Sequence, residues 1–259
     1  MKINRIILPF ALLYSSVSLA APVDLSGWVA EGGNSSWNLQ TLNAPNDTVL
    51  QTVNGQPTVF FESGSNALGT ALSGSIKVTS GGNWDDDFIG FVLGYDTGEI
   101  FSASADFWLI DWKQNDQNYG PFGSNSQAFD GLALSHVTNS SPETSFWAHS
   151  GGVNEVARAE NLGSTGWQDN TEYTFDLVYT TNLIQVYVDN VLELNVTAAQ
   201  AGVSGFSDGA FGFYNFSQQD VLYAGITKDP ANVPEPSVIS LLLMGLAGFG
   251  FTANRRRKQ

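Results

Sequence analysis

The stretch WDDDFIGFVLGYDTG, Trp84 to Gly98, places three consecutive aspartates against a run of strand-forming residues. From Phe88 to Tyr95 the run reads as a β-strand, bounded in front by Gly81-Gly82-Asn83 and behind by Asp96-Thr97-Gly98, both turn-type segments. The next run, ADFWLIDWKQ from Ala105 to Gln114, is apolar on both faces. A strand of that kind belongs in the middle of a sheet with cover on both sides. Asp111 interrupts it. A carboxylate there must have a partner or lie at a strand end, because burying it alone costs several kcal/mol.

Outward from this pair the same pattern repeats. Short β-branched and aromatic runs fall at residues 49–53, 58–62, 75–79, 131–137, 145–149 and 210–216, separated by Gly, Asn, Asp, Ser and Pro clusters. Tyr173, Phe175, Leu177 and Tyr179 alternate with Thr174, Asp176 and Val178, the period of a strand with one buried face. IQVYVDNVLELNV reads as a hairpin turning at Asp189-Asn190, with Leu192, Leu194 and Val196 on its inner face. No long helix and no repeat is visible, so the economical architecture is all-β, with two antiparallel sheets packed face to face.

The chain has 259 residues, 42% of them hydrophobic, enough for one large core. It carries 25 acidic and 10 basic residues and a formal net charge of −15. Lys2, Arg5, Arg255, Arg256, Arg257 and Lys258 are terminal, leaving Lys77, Lys113, Arg158 and Lys228 in the body. Such a body repels nucleic acid and anionic membrane surfaces and attracts divalent cations. The absence of cysteine excludes disulfides, thiol chemistry and thiolate zinc sites.

Residues 1–20 have the layout of a secretory signal peptide: Lys2 and Arg5, the apolar run Ile6–Leu13, and Ser18-Leu19-Ala20 before the cut. The other end, VPEPSVISLLLMGLAGFGFTANRRRKQ, joins Val233-Pro234-Glu235-Pro236 to an apolar helix and a basic stop. This end resembles a PEP-CTERM sorting signal. The resemblance implies recognition by an exosortase, a transient inner-membrane anchor, and a final place at the cell surface or outside a Gram-negative bacterium that makes exopolysaccharide. The expected division is 1–20 signal peptide, 21–230 β-sandwich, and 231–259 sorting segment, the two targeting ends being short helical segments.

Asp85, Asp86 and Asp87 sit at a loop-to-strand junction, where like charges resist ionising together. A Ca²⁺ ion removes that cost, since it takes six to eight oxygens. Alternation lets Asp85 and Asp87 point one way and Asp86 the other. The residues by themselves fit equally a solvated acidic loop. DDDFIGFVLGY, FWLIDWKQNDQ, Phe146 to Gly151, Gly166-Trp167 and GAFGFYNFSQ, taken in this order, resemble the lectin-like C-terminal domain of thrombospondins over about Asp24 to Ile226. That resemblance implies a calcium-binding jelly-roll (concanavalin A-like) sandwich without catalysis, with Asp85, Asp86 and Asp87 among the metal ligands. The family's receptor segment is replaced here by Leu109-Ile110-Asp111, so that partner does not carry over.

For an enzyme, the sequence offers no alternating carboxylate array on a strand, and His136 and His149 belong to no recognisable triad or metal pattern. Two functions remain: a calcium-stabilised adhesive module of a cell surface or extracellular matrix, or a lectin that grips exopolysaccharide. For the second, Trp84, Trp147 and Trp167 are candidate stacking faces near loops, with core filling as the competing role.

Overall fold

A computed structural model describes residues 20–79, 85–124, 126–139 and 141–231. The expected signal peptide up to residue 19, Trp84 with Gly81-Gly82-Asn83, and the sorting segment from 232 lie outside the described residues. Among the described residues no helix is long and apolar enough to cross a membrane.

The strands are β1 (Ala21–Pro22), β2 (Val29–Gly32), β3 (Trp37–Gln40), β4 (Thr48–Gln51), β5 (Thr58–Phe61), β6 (Thr70–Val78), β7 (Phe88–Tyr95), β8 (Asp106–Lys113), β9 (Gln117–Asn118), β10 (Gln127–Ala128), β11 (Gly131–Thr138), β12 (Val153–Arg158), β13 (Glu172–Thr180), β14 (Leu183–Val188), β15 (Val191–Thr197), β16 (Ala210–Phe216) and β17 (Val221–Pro230). One helix, α1 (Glu143–Ala148), lies between β11 and β12. One sheet runs β12-β11-β8-β7-β16-β5-β2; the facing sheet runs β15-β14-β13-β6-β17-β4-β3, with β1 added on β17. Neighbouring strands pair antiparallel, as expected of an all-β sandwich.

Period-two alternation sorts the side chains of β7 and β8. Ile89, Phe91, Leu93, Trp108, Ile110 and Trp112 face the inter-sheet core, where Phe175, Leu177 and Tyr179 of β13 meet them. Phe88, Val92, Phe107 and Leu109 face the opposite way, into a second core with Phe146, Trp147, Tyr214 and Phe216. Both faces of β7 and β8 are therefore covered, the second by α1 and by the segment from β9 to β10. A tie joins the sheets at Gly90: its N–H donates to the Tyr223 hydroxyl, which donates to the Tyr214 carbonyl, while a Cβ at position 90 would meet the Ile110 carbonyl of β8.

Two local expectations fail. Residues 145–149 are not a strand: Pro142 and Glu143 start α1, and His149 closes it in the left-handed region at φ 43°. In a strand, Phe146 and Trp147 would point to opposite sides, whereas one helical turn buries both in the second core. Leu192 is 37% exposed rather than on the inner face of its hairpin, because a bulge opposite Val186/Tyr187 adds a residue and turns Glu193 inward instead. The turn itself is as expected, with Asp189 and Asn190 at φ 49° and 65°.

An ionic clamp fixes α1 to the sheet. His149 Nε2 lies 2.9 Å from Asp111 Oδ2 on β8, and Nδ1 lies 3.1 Å from Glu155 Oε2 on β12. Arg158 in turn donates to both Glu155 oxygens at 3.0 Å. This gives the buried Asp111 its partner. Burial alone would lower the His149 pKa, but Asp111 and Glu155 outweigh it and push it up to about 9. Burial would raise Glu155, yet the bonds from His149 and Arg158 bring it down to about 2.

A histidine raised above its ordinary 6.5 contributes stability in full below that pH and loses it as pH climbs through about 9. A glutamate depressed below 4.5 contributes in full above that pH and loses it toward about 2. The clamp's own contribution should therefore be level between about pH 4.5 and 6.5, and the thermal midpoint should fall from there toward pH 9. His149→Gln should flatten the alkaline fall; a wild-type midpoint that is level from pH 6.5 to 9 would show the clamp to be neutral in the folded state.

Candidate functional site

Asp85-Asp86-Asp87 leads into β7 without being part of a strand, its Asp86 carbonyl accepting from the Gln114 N–H at 3.2 Å. What meets it is Lys113, at the last position of β8 and directly opposite Phe88 in register. The Lys113 ammonium is fully buried. It donates to Asp87 Oδ1 at 2.7 Å, to the Asp86 carbonyl at 2.9 Å and to Gln117 Oε1 at 3.0 Å, with Asp86 Oδ1 at 3.5 Å. It also lies 5.3 Å from the Phe88 ring centroid and 4.9 Å from that of Trp147. Burial raises the Asp87 pKa and the Lys113 charge opposes that rise.

Asp85 is placed differently. Both its oxygens accept from Asn54 Nδ2 at 3.0 Å, and Oδ2 also accepts from the Gln219 N–H at 3.3 Å. It makes no ion pair among the described residues, and burial followed by the Asp87 charge pushes its pKa up to about 6.

Asp85 and Asp87 open onto one cleft of about 590 Å³, together with Asn54, Tyr119, Glu143 and Trp147. Asp86 does not line it, and its Oδ1 lies 3.5 Å from the same ammonium that Asp87 engages. Trp147 forms a wall rather than an open stacking face: it is 3% exposed, and its indole N–H donates to the Ser126 carbonyl at 2.7 Å. Tyr119, 42% exposed, and Phe122 pack on it, with ring centroids at 5.7 and 5.6 Å. Trp167 is fully buried between the sheets and donates to the Asp87 carbonyl at 3.0 Å, so its contribution to the corner is structural.

Whether these residues suit calcium is a question of donors. Asp85, Asp87, Glu143 and the Asn54 amide supply hard oxygens to one cleft. Against that, Lys113 already engages Asp87 and Asp86, and no three acidic or histidine side chains among the described residues gather into a metal cluster. The arrangement does not fit a cage shared by all three aspartates; the carboxylate left without a cation is Asp85.

Sequence reasoning missed Lys113, Tyr119, Asn54 and Glu143. Lys113 left one signal, as the single basic residue of β8, a strand whose other charged members are Asp106 and Asp111. Removing it should be costly. Lys113→Ala leaves the Asp87 carboxylate buried and uncompensated and should lower stability by about 3–5 kcal/mol in denaturant titration. Asp87→Asn combined with Lys113→Met should recover much of that loss; a single alanine variant as stable as wild type would refute the assignment.

The family description "Thrombospondin C-terminal region" matches residues 35–230, and "PEP-CTERM protein-sorting motif" matches residues 232–258. Thrombospondin-2 of Mus musculus is 27% identical over 192 residues, covering 69% of this chain and 15% of the relative. Thrombospondin-2 of Gallus gallus is 28% identical over 190 residues, with the same coverage of 69% and 15%. The chain thus spans about 15% of the length of these curated relatives. Among solved structures, the carbohydrate binding module CBM66 from Bacillus subtilis superposes with a TM-score of 0.51 at 12% identity, over 78% of this chain and 95% of that one. The VIP36 exoplasmic/lumenal domain in its Ca²⁺/Man2-bound form gives 0.50 at 16% identity, over 83% and 84%. The two neighbours establish a lectin-like sandwich. With the match over residues 35–230, the chain belongs to the thrombospondin C-terminal region family.

Proposed function

We propose that this protein is an exported, non-catalytic lectin-like module that binds carbohydrate of a cell surface or matrix, exopolysaccharide being the natural source, in the cleft bounded by Asp85, Tyr119 and Trp147. The observation that carries the reading is the combination in that cleft of a partly exposed aromatic, Tyr119, with carboxylate and amide groups held by fixed hydrogen bonds. Sugar recognition uses that pairing: an aromatic face for the C–H side of the ring and rigid polar groups for its hydroxyls. The names of the two structural neighbours, one a carbohydrate binding module and one mannose-bound, are consistent with it. In this reading residues 21–230 form the binding domain, residues 1–20 direct export, and the segment from 231 is handed to an exosortase in a Gram-negative envelope after a transient stay in the inner membrane.

A glycan array probed with the protein should give reproducible binding that Tyr119→Ala weakens by about tenfold or more, equivalent to about 1.4 kcal/mol. Absence of binding across neutral, amino and acidic sugars would overturn the proposal. Release of reducing ends from a bound glycan would overturn its non-catalytic part.

A second reading, calcium at the same corner, is favoured by Asp85, a carboxylate with no cationic partner among the described residues beside a second carboxylate, Asp87, on the same cleft. We propose Asp85 and Asp87 as the donors facing the ion and Asp86 as a backbone and charge neighbour, in support of an adhesive surface whose loops the ion stiffens. Saturating Ca²⁺ should raise the thermal midpoint by roughly 5 °C over chelator, and Asp85→Asn should abolish the rise. An unchanged wild-type midpoint would remove calcium from the account and leave the glycan reading standing.

A further inference from the structure

A second cleft, of about 350 Å³, lies on the other side of Trp147 and is lined by Phe88, Gln127, Phe129, His149, Glu155 and Arg158. Resting on the carbohydrate reading above, we infer that this cleft is a further saccharide subsite, so that the ligand is an extended chain of neutral or amino sugars crossing the Trp147 wall, rather than a single terminal sugar.

Three observations carry this. The first is continuity: Trp147 borders both clefts, and Tyr119 of the first is only 5.7 Å from it, centroid to centroid. The two clefts therefore share Trp147 as a wall, which adjacent units of one polymer can cross.

The second is the aromatic face. Phe129 is 58% exposed, the second most exposed large apolar side chain among the described residues after Leu42, and it is not left to move freely. The Arg158 guanidinium carbon lies 5.9 Å from its ring centroid. Arg158 itself is fixed by both Glu155 oxygens and by the Asp130 and Gly163 carbonyls. Glu155 is fixed in turn by His149. A braced aromatic beside immobilised polar groups binds a sugar ring without a large ordering cost, which is what gives a small contact useful affinity.

The third is charge. At the second cleft the His149 imidazolium, with a carboxylate at each ring nitrogen, and Arg158 balance Asp111 and Glu155. At the first cleft Lys113 offsets Asp87, while Asp85 and Glu143 stand without a cation among the described residues. A chain of uronates would meet repulsion at the acidic end, whereas neutral rings are accepted along the whole path and an amino sugar is favoured beside Asp85.

Calorimetric titration of the full-length protein with β-1,4-linked glucose and glucosamine oligomers of about two, four and six units, and with oligouronates of the same lengths, tests this. The expected result is affinity rising about tenfold or more from two to six units for a neutral or amino series, with the uronates weakest. Phe129→Ala should remove most of that gain while leaving dimer binding within about twofold, and Tyr119→Ala should weaken every length. Phe129 is largely exposed, so an unchanged thermal midpoint confirms that the variant is folded. Equal affinity for all lengths, or a Phe129→Ala variant with an intact length dependence, overturns the subsite and leaves the single-cleft reading intact. Failure of every oligomer to bind overturns that reading, and the inference with it.

Discussion

The corner of the molecule that matters is built around one buried ammonium. Lys113 has three N–H groups and no solvent, so each must be met by protein. They are met by the Asp87 carboxylate, the Asp86 carbonyl and the Gln117 amide oxygen, one from the approach to β7, one from the same segment's backbone, and one from the start of the covering segment. A buried ion pair contributes little net stability compared with a well-packed apolar pair, yet removing either partner is expensive. Its use here is to specify geometry. Because Lys113 claims Asp87 and the Asp86 backbone, the remaining carboxylate, Asp85, is directed to Asn54 and the Gln219 N–H at the cleft.

What could be read from the chain follows the range of the forces involved. β7 and β16 occur as expected because each is a short run, apolar on both faces, bounded by turn-forming Gly, Ser or Asp residues. The Asp189-Asn190 turn was equally legible, since its positive φ angles are a local demand. Phe146-Trp147 was misread because adjacency in sequence says nothing about which layer receives the pair, and Leu192 because a bulge is decided by the facing strand. At the site, Asp85 and Asp87 line one cleft, but the side-chain partners of the three aspartates do not simply alternate: Asp86 and Asp87 both approach Lys113, and Asp85 turns to Asn54. The Lys113 partnership was not legible, since it depends on the register of β8 against β7 across 25 residues of chain. Trp147 and Trp167 look alike as tryptophans near loops; only packing separates a cleft wall from a core filler.

The clefts themselves follow from an unusual demand on the β7 sheet. Its outer face carries Phe88, Val92, Phe107, Leu109, Tyr214 and Phe216, too apolar to face water, so a third layer must cover it. The cover consists of α1, only six residues long, and the β9–β10 segment with its 3-10 turn at Gly120–Phe122. Neither spans the whole sheet. They meet at Trp147, which Phe88, Phe216, Tyr119 and Phe122 surround, and open space is left on both flanks. Each flank inherits a rigid rim, one from the Lys113 cluster and one from the His149 clamp.

For the proposed carbohydrate recognition, this origin also decides which charges matter. The formal charge of −15 is the net of an acidic body and basic ends, and at physiological ionic strength charges more than about 8 Å apart in solvent are largely screened. Net charge therefore affects approach and solubility more than selection among sugars. Selection falls to groups inside the clefts, where Asp85 is partly withdrawn from water and feels Asp87 directly. Between two chains of equal length and linkage, the one carrying carboxylates must desolvate them against that field, while a neutral chain exchanges water hydrogen bonds for protein ones at little net cost. On the proposed carbohydrate reading, discrimination against acidic polymers arises from two or three fixed side chains, and it would survive neutralisation of most of the surface.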